Sequence, residues 1–370
     1  MSRILIVGGY GAFGARAARR LAREPGYEIV IAGRSKVAAS AFADELARTA
    51  AAKVSHAILD AVTARAEDIR ALSPTVVINA SGPFQAQSYG LARACIGAAC
   101  HYVDLADARA FVTGIAQLDR EARAAGVSVI SGASSVPGLS SAVVHAFAGE
   151  FAALDAVEIG ISPGNSFDPG LATTASILSQ AGKPYAVLTD GRKQIAYGWQ
   201  GLHRRRFAKL GPRWMSNVEV PDLDLLPAQY PSLKTARFYA GVEVGLFHLG
   251  LWSLSWLVRA GLVRDLSPLA APLLKAKRTL RFLGSDAGGM FVILRGRDSS
   301  DERRELTWTM IARSGHGPYV PAIASVILAK RLIAGTGPAP GARPCFALFA
   351  PAEFAAEIAD LDISSTTQWR

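Results

Sequence analysis

Residues Ile4–Arg23 read "ILIVGGYGAFGARAARRLAR": a short apolar run, a glycine-rich turn and an arginine-striped segment. Ile4–Val7 has the length and composition of a buried strand, and the residues after Gly14 have the period of a helix. In Ala15–Glu24 the residues Ala17, Ala18, Leu21 and Ala22 fall on one face, with Arg16, Arg19, Arg20 and Arg23 on the other. Between strand and helix lies Gly9-x-Gly11-x-x-Gly14, a dinucleotide fingerprint, overlapped by its variant Gly8-x-x-Gly11-x-x-Gly14. Any glycine-rich turn can show this spacing by chance; a preceding strand and a following helix are what the fingerprint requires. Gly9 permits the tight turn, Gly11 lets a pyrophosphate approach the backbone, and Gly14 lets the helix close on the strand. The helix N-terminus then presents N–H groups and the positive end of its dipole to the phosphates.

Working outward, apolar runs bounded by turn residues recur at Ile29–Ala32, Ala57–Leu59, Val76–Asn79, His101–Val103 and Val127–Ile130, with alanine-rich helical stretches between most of them. Short buried strands alternating with helices predict a parallel sheet wound on both faces. The rhythm changes after Pro137. There "SSVPGLSSAVVHAFAGEFAA" predicts a crossing helix, followed by a strand over Ala156–Ser162 and, later, longer strands at Met290–Arg295 and Glu305–Ile311. Pro321–Ile333 predicts a further helix, and "GTGPAPGARP" a linker to a short tail. The expected fold is α/β: an N-terminal Rossmann doubly wound parallel sheet plus an α+β second domain with a mixed sheet. The expected domain bounds are 1–137, 138–315 and 316–370.

The chain has 370 residues, half of them hydrophobic, and Lys+Arg exceed Asp+Glu by 40 to 30, a net charge of +10. That composition excludes disorder and favours anionic partners. Three cysteines, Cys95, Cys100 and Cys345, make no disulfide framework. The start has no charged region with a cleavage site, so the expected location is cytoplasmic. One segment adds membrane association to that expectation. Val244–Val258 carries no acidic or basic residue except His248 and stops short of the roughly 20 residues that span a bilayer. It reads as a buried core or dimer helix, or as an interfacial helix anchored by Trp252 and Trp256.

Cofactor choice is read at the end of the second strand. NAD enzymes place Asp or Glu there to hold the ribose 2′-hydroxyl, whereas "IVIAGRSK" puts Arg34, Ser35 and Lys36 in that place. A cation and a hydroxyl suit a 2′-phosphate, so NADP is expected over NAD. Other strand ends face the same cleft. Asp60 is the candidate for the adenine amine, and the loop Asn79, Ala80, Ser81, Gly82, Pro83, Phe84 for the ribose, nicotinamide and substrate. Asp104 and Asp107 end the strand that follows.

Hydride transfer also needs a proton donor near neutral pH. His316, in "SGHGPY", is the first candidate, with Tyr319 beside it and Asp104 as a further catalytic candidate. Thr173 and Thr174, at a helix start, either hold a substrate oxygen or cap the helix.

Rival chemistries fare worse. Gly160-x-Ser162-x-Gly164 matches a nucleophile elbow, but Pro163 lacks the N–H that would hold an oxyanion. Tyr230-x-x-x-Lys234 lies among prolines, far beyond the Rossmann strands. No metal-ligand spacing occurs, and the Arg204–Arg206 cluster has no nucleic-acid motif beside it, so neither metal nor nucleic acid is expected.

Taken in order, "GGYGAFG", "AGRS", "VINASGPF", "CHYVDLAD", "SGASSVPGLSS", "SGHGPYVPA" and "EFAAEIADLDI" resemble the saccharopine dehydrogenase-like (saccharopine reductase-like) family. The resemblance implies an NAD(P)-dependent oxidoreductase acting on a small molecule, and a homodimer, with 1–137 the NADP-binding domain, 138–315 the catalytic, substrate and dimerisation domain, and 316–370 a C-terminal helix and tail packing back on the first. By position, Gly9, Gly11, Ala12, Phe13 and Gly14 would line the pyrophosphate, Arg34 and Ser35 the 2′-phosphate, and Asp60 the adenine. Ala80, Ser81 and Gly82 would form the wall beside the nicotinamide. One departure is chemical: members acting on charged amino acids usually carry Asp before the Pro-Gly that here follows Val136. Its loss, together with the greasy Val244–Val258, turns the expected substrate towards an apolar imine, carbonyl or enoyl compound. The alternative is a dinucleotide-binding or lipid-associated accessory protein without turnover.

Overall fold

The computed structural model describes every residue except Ala86 and Ala208. In chain order the first stretch is β1 (Ser2–Val7), α1 (Gly14–Leu21), β2 (Tyr27–Gly33), α2 (Lys36–Ala47), β3 (Lys53–Ile58), α3 (Ala66–Leu72), β4 (Val76–Asn79), α4 (Gly90–Gly97), β5 (His101–Asp104), α5 (Arg109–Gly114), α6 (Asp119–Ala124) and β6 (Ser128–Ser131). The middle holds α7 (Ser140–Ala148), β7 (Ala153–Ser162), α8 (Gly170–Gln180), β8 (Pro184–Thr189), β9 (Arg192–Tyr197), β10 (His203–Phe207), β11 (Gly211–Asn217), α9 (Asp222–Gln229) and β12 (Thr235–Ala240). After these come α10 (Gly245–Arg259), α11 (Ala270–Thr279), β13 (Gly288–Arg297), β14 (Arg303–Ala312), α12 (Val320–Ile333), β15 (Gly341–Pro344), α13 (Pro351–Glu357) and β16 (Ile363–Trp369). They form two compact units, Met1–Leu139 with Pro318–Glu357, and Ser140–Gly317 with Ile358–Arg370.

The first unit is built on a seven-stranded sheet of order β15-β6-β5-β4-β1-β2-β3, parallel throughout. Apart from β15 this is the Rossmann order, whose direction reverses between β1 and β4. Ile4, Leu5, Ile6, Ile29, Ile31 and Ile78 are wholly buried, as strands covered by helices on both faces must be.

Two expectations change here. "GTGPAPGARP" is not a bare linker: Gly341–Pro344 pairs with Ser128–Ser131 as the seventh strand. Ala342 N donates to Asp119 (2.9 Å) and Ser128 Oγ to the Pro338 carbonyl (2.8 Å), and the edge position tolerates Pro344. Nor is the arginine face of α1 all solvated. Arg20 is buried against Glu357 of α13, and Lys330 of α12 bridges Glu24 (2.8 Å) and Glu357 (3.0 Å). The returning α12 and α13 cover the part of that face that bears Arg20, and Glu357 pairs with it.

The second unit carries a mixed nine-stranded sheet, β10-β11-β12-β7-β13-β14-β16 with β8 and β9 attached at β12. β7 is parallel to β12 and antiparallel to β13. The end of the tail does not join the first domain as the sequence predicts; it is β16, an antiparallel edge strand on β14. The polar run in "ISSTTQW" suits an exposed edge strand.

Candidate functional site

The switch point between β1 and β4 brings the glycine turn against the loop after Asn79. Gly8 has φ +76°, and a Cβ there would stand 2.9 Å from the Ala80 backbone. A Cβ on Gly14 would overlap the Gly8 carbonyl oxygen. Gly11 N donates to that same oxygen (2.9 Å) and closes the turn. Phe13 precedes α1 and no side chain caps it. The result is a backbone cradle of the kind that receives a diphosphate.

Arg16, placed on the outer face by helical spacing, folds back over this turn. Its Nη1 donates to the Ala12 carbonyl, its guanidinium lies 5.7 Å from the Tyr319 ring centroid, and its Nε is buried with no acceptor among the described residues. Burial pushes its pKa below the ordinary guanidinium value, and Tyr319 opposes that shift. An orphaned donor on a cation beside a backbone cradle fits an anionic diphosphate. Sequence reading misses Arg16 because periodicity distinguishes inside from outside but not which outer residue leans over the helix N-terminus.

At the end of β2, Arg34, Ser35 and Lys36 are exposed, and no carboxylate occupies the turn. Ser35 Oγ accepts the Ala38 N–H (3.2 Å) as the N-cap of α2. Tyr10 has no role in the sequence reading either. Its hydroxyl accepts the Ser35 N–H (3.1 Å), and its ring fills the space beside Gly33. The side chain thus ties the first βα turn to the second. Asp60 is half-buried, with Oδ1 accepting from Val62 N (3.0 Å).

Asn79 organises the other wall. Its Oδ1 accepts from Ser81 N (3.0 Å) and Ser81 Oγ (2.5 Å), and its Nδ2 donates to the Tyr102 hydroxyl (3.0 Å). Tyr102, accepting there, has its own proton for Asp104, and this contact lowers the Asp104 pKa. Asp104 Oδ1 accepts Ala106 N (3.0 Å), Ser131 Oγ (2.9 Å) and Gly132 N (2.9 Å). Asp104 has no exposed surface, and burial outweighs these bonds, raising its pKa to about 6. Gln87 Nε2 holds the loop from outside, donating to the carbonyls of Ser81 (2.7 Å) and Pro83 (3.0 Å).

Three assignments are corrected by this geometry. Asp104 reads from the sequence as catalytic, but a fully enclosed carboxylate cannot touch a substrate; it fastens the loops after β5 and β6 and positions Asn79 through Tyr102. Phe84 reads as a substrate contact, yet it is buried 5.3 Å from the Phe111 ring, with Tyr89 against Phe111 in turn at 4.7 Å. Pro83 beside it is exposed. In the second unit, Thr174 Oγ1 returns its proton to the Gly170 carbonyl (2.8 Å) within α8, and Thr173 is half-buried.

Of the remaining candidates, His316 belongs to the second unit and Tyr319, at the start of α12, to the first. His316 Nδ1 accepts the Asp362 N–H (2.8 Å), which puts the proton of the neutral ring on Nε2. The Asp362 carboxylate accepts from Ser314 Oγ (2.8 Å), so the tail bearing β16 orients this histidine. Position in sequence could not reveal that partner, 46 residues away.

The rivals have structural roles. Ser162 is wholly buried at the end of β7, and Lys234 pairs with Asp155 (2.7 Å). All three cysteines are buried outside any disulfide, and no cluster of metal-ligating side chains occurs among the described residues.

Residues 4–130 match the family model described as "Saccharopine dehydrogenase NADP binding domain". The sequence matches none of the curated proteins. Among solved structures, apo saccharopine dehydrogenase (L-Glu forming) from Saccharomyces cerevisiae superposes with a TM-score of 0.68 at 13% identity, covering 100% of both chains. An alcohol dehydrogenase from Comamonas testosteroni (20% identity, 35% of this chain and 71% of that chain, TM-score 0.28) is similar only locally. So is a short-chain dehydrogenase from Sphingobium yanoikuyae in complex with NADPH (20%, 35% and 70%, TM-score 0.27). Residues 4–130 therefore match a saccharopine dehydrogenase NADP-binding domain, and the whole chain shares the fold of the yeast structure.

Proposed function

We propose that this chain reduces a small, apolar imine, carbonyl or enoyl substrate with NADPH. The observation that carries the reading is the pairing of the glycine cradle under Arg16 with a β2 end that is basic and free of carboxylates. The nicotinamide, when bound, supplies the hydride. Gly9, Gly11, Ala12, Phe13, Gly14 and Arg16 hold the diphosphate, Arg34 and Ser35 with the N-terminus of α2 hold the 2′-phosphate, and Asp60 holds the adenine. Asn79, Ala80, Ser81 and Gly82, locked by Tyr102 and Gln87, form the rigid wall for the nicotinamide, and Pro83 and Thr173 line the substrate. His316 polarises the substrate by a hydrogen bond from its Nε2–H, with Tyr319 assisting; its Nδ1 partner supports that tautomer. The same reading includes a homodimer and peripheral membrane contact through Val244–Val258.

Fluorescence titration with NADPH and NADH tests the cofactor assignment. Wild type is expected to prefer NADPH, and Arg34→Ala to weaken NADPH about tenfold or more while sparing NADH, since a charged phosphate contact is worth roughly 1.5–3 kcal/mol. Equal affinity for both cofactors in the wild type would overturn the role of Arg34. For turnover, NADPH oxidation is followed across oxo acids with amines, aldehydes and enoyl esters, where His316→Ala is expected to lower kcat by about 100-fold or more. Cofactor binding with no turnover on any of them would favour the accessory role.

A further inference from the structure

Helix α10 exposes apolar side chains while burying two polar ones. Its buried residues are polar, His248 and Ser255, seven positions apart on one face. His248 Nδ1 accepts the Val242 N–H (3.2 Å), and its Nε2 contacts Ser216 Oγ (2.9 Å). Ser255 Oγ donates to the Trp252 carbonyl (2.6 Å). Leu251, Leu254 and Val258 flank that face and pack on a core of Leu178, Trp199 and Leu266.

The opposite face is exposed and uncharged. Leu246, Leu249, Ser253, Trp256 and Leu257 follow one another at helical spacing, and all are exposed, Leu246 at 70%. Leu262, just past the helix, is 74% exposed and continues the apolar series in the chain. An apolar series of this length left exposed beside a face already packed on the core indicates an apolar medium on the outer face.

Charge identifies that medium. Between residues 259 and 281 the chain carries Arg259, Arg264, Lys275, Lys277, Arg278 and Arg281 against a single acid, Asp265. Arg259 is occupied over the Tyr197 ring (3.9 Å), Lys277 on the Asn165 carbonyl (2.7 Å) and Arg278 on Asp168 (2.7 Å). Arg264, Lys275 and Arg281 are exposed and have no ion-pair partner among the described residues. Phe282, next to Arg281, is 73% exposed. A second copy of the chain seated symmetrically on this face would set the same basic segment against itself, which is unfavourable. Anionic headgroups complement it, and a helix of 15 residues, too short to cross a bilayer, suits shallow insertion in its plane. No helix among the described residues is long and apolar enough to cross a membrane.

We propose that the outer face of α10 docks on an anionic phospholipid surface, with Leu246, Leu249, Trp256 and Leu257 entering the acyl boundary and Arg264, Lys275 and Arg281 held at the headgroups. The inference rests on the membrane contact in the reading above and specifies its lipid and its residues. The full-length protein is floated with vesicles of phosphatidylcholine alone and of phosphatidylcholine mixed with phosphatidylserine.

Partition is expected to favour the anionic vesicles by about a hundredfold, about fivefold for each of three basic residues, and to fall with added salt. Leu246→Glu with Leu249→Glu, and separately Arg264→Glu with Lys275→Glu, are each expected to lower it more than tenfold. Both pairs are expected to bind NADPH like the wild type, which reports folding. Flotation that is absent, or equal on the two vesicles, overturns the proposal. So does a wild-type dimer in sedimentation that Leu246→Glu with Leu249→Glu dissociates, because that outcome puts a second copy on this face. Failure to bind NADPH would overturn the reductase reading and leave the vesicle result standing on its own.

Discussion

Gly14→Ala is expected to abolish measurable NADPH binding. The added Cβ meets backbone, the Gly8 carbonyl oxygen, with Gly8 C at 2.9 Å and Gly9 Cα at 3.0 Å behind it. No rotamer change relieves a clash between backbone atoms, so β1 and α1 must separate or the turn must open. Such overpacking costs about 1–3 kcal/mol of stability. The larger consequence is for the ligand, because the same Gly8 carbonyl accepts the Gly11 N–H that shapes the cradle. Losing two charge-assisted bonds to phosphate, at roughly 1.5–3 kcal/mol each, weakens NADPH by about 100-fold or more. Titration of folded Gly14→Ala protein checks this. Unchanged affinity would show that the cofactor does not lie on this turn.

The second large effect concerns stability against pH. Asp222, at the start of α9, is buried, with Oδ1 accepting from Ser140 Oγ of α7. Its Oδ2 has no partner among the described residues. Burial raises its pKa from 3.8 to about 6, against the lowering effect of Ser140. A carboxyl whose folded pKa is raised binds its proton more tightly in the native state. Its contribution to stability is complete below about pH 4 and is lost as pH rises towards 6. Holding a carboxylate that ionises only near pH 6 burdens the second unit by about 3 kcal/mol at neutral pH. Asp222→Asn keeps an acceptor for Ser140 and removes the ionisation. Calorimetry between about pH 4 and 7 is expected to show the variant more stable above about pH 6, by up to about 3 kcal/mol, with a flatter profile for that unit. A profile identical to the wild type would mean that Asp222 ionises without penalty. Asp104, also raised to about 6, imposes the same sign of dependence on the first unit.

How much of the site could be read in advance depended on whether the reason was local. The glycine turn, the strand end at Arg34 and the loop from Asn79 were legible because each is contiguous and follows a strand whose apolar run announces it. Tyr10 and Arg16 are just as close in sequence but acquire their roles from direction. One side chain crosses to Ser35 and the other leans over Ala12, and periodicity does not encode such directions. Asp104 and Phe84 failed for a different reason. Their positions at strand ends were right, but strand-end residues can point into the cleft or back into the protein, and burial decides between them.

The sequence by itself determined the doubly wound parallel sheet, its dinucleotide cradle and the helix at α10, because hydrophobic period and glycine placement are local constraints on the backbone. Only the tertiary structure decided that the proline-rich segment before α13 becomes a seventh strand and that the C-terminus closes the edge of the second sheet. It alone also turned α10 with its serine and histidine inward. Strand pairing and helix orientation are settled by which distant partners satisfy hydrogen bonds and bury area, and those partners lie tens to hundreds of residues away along the chain.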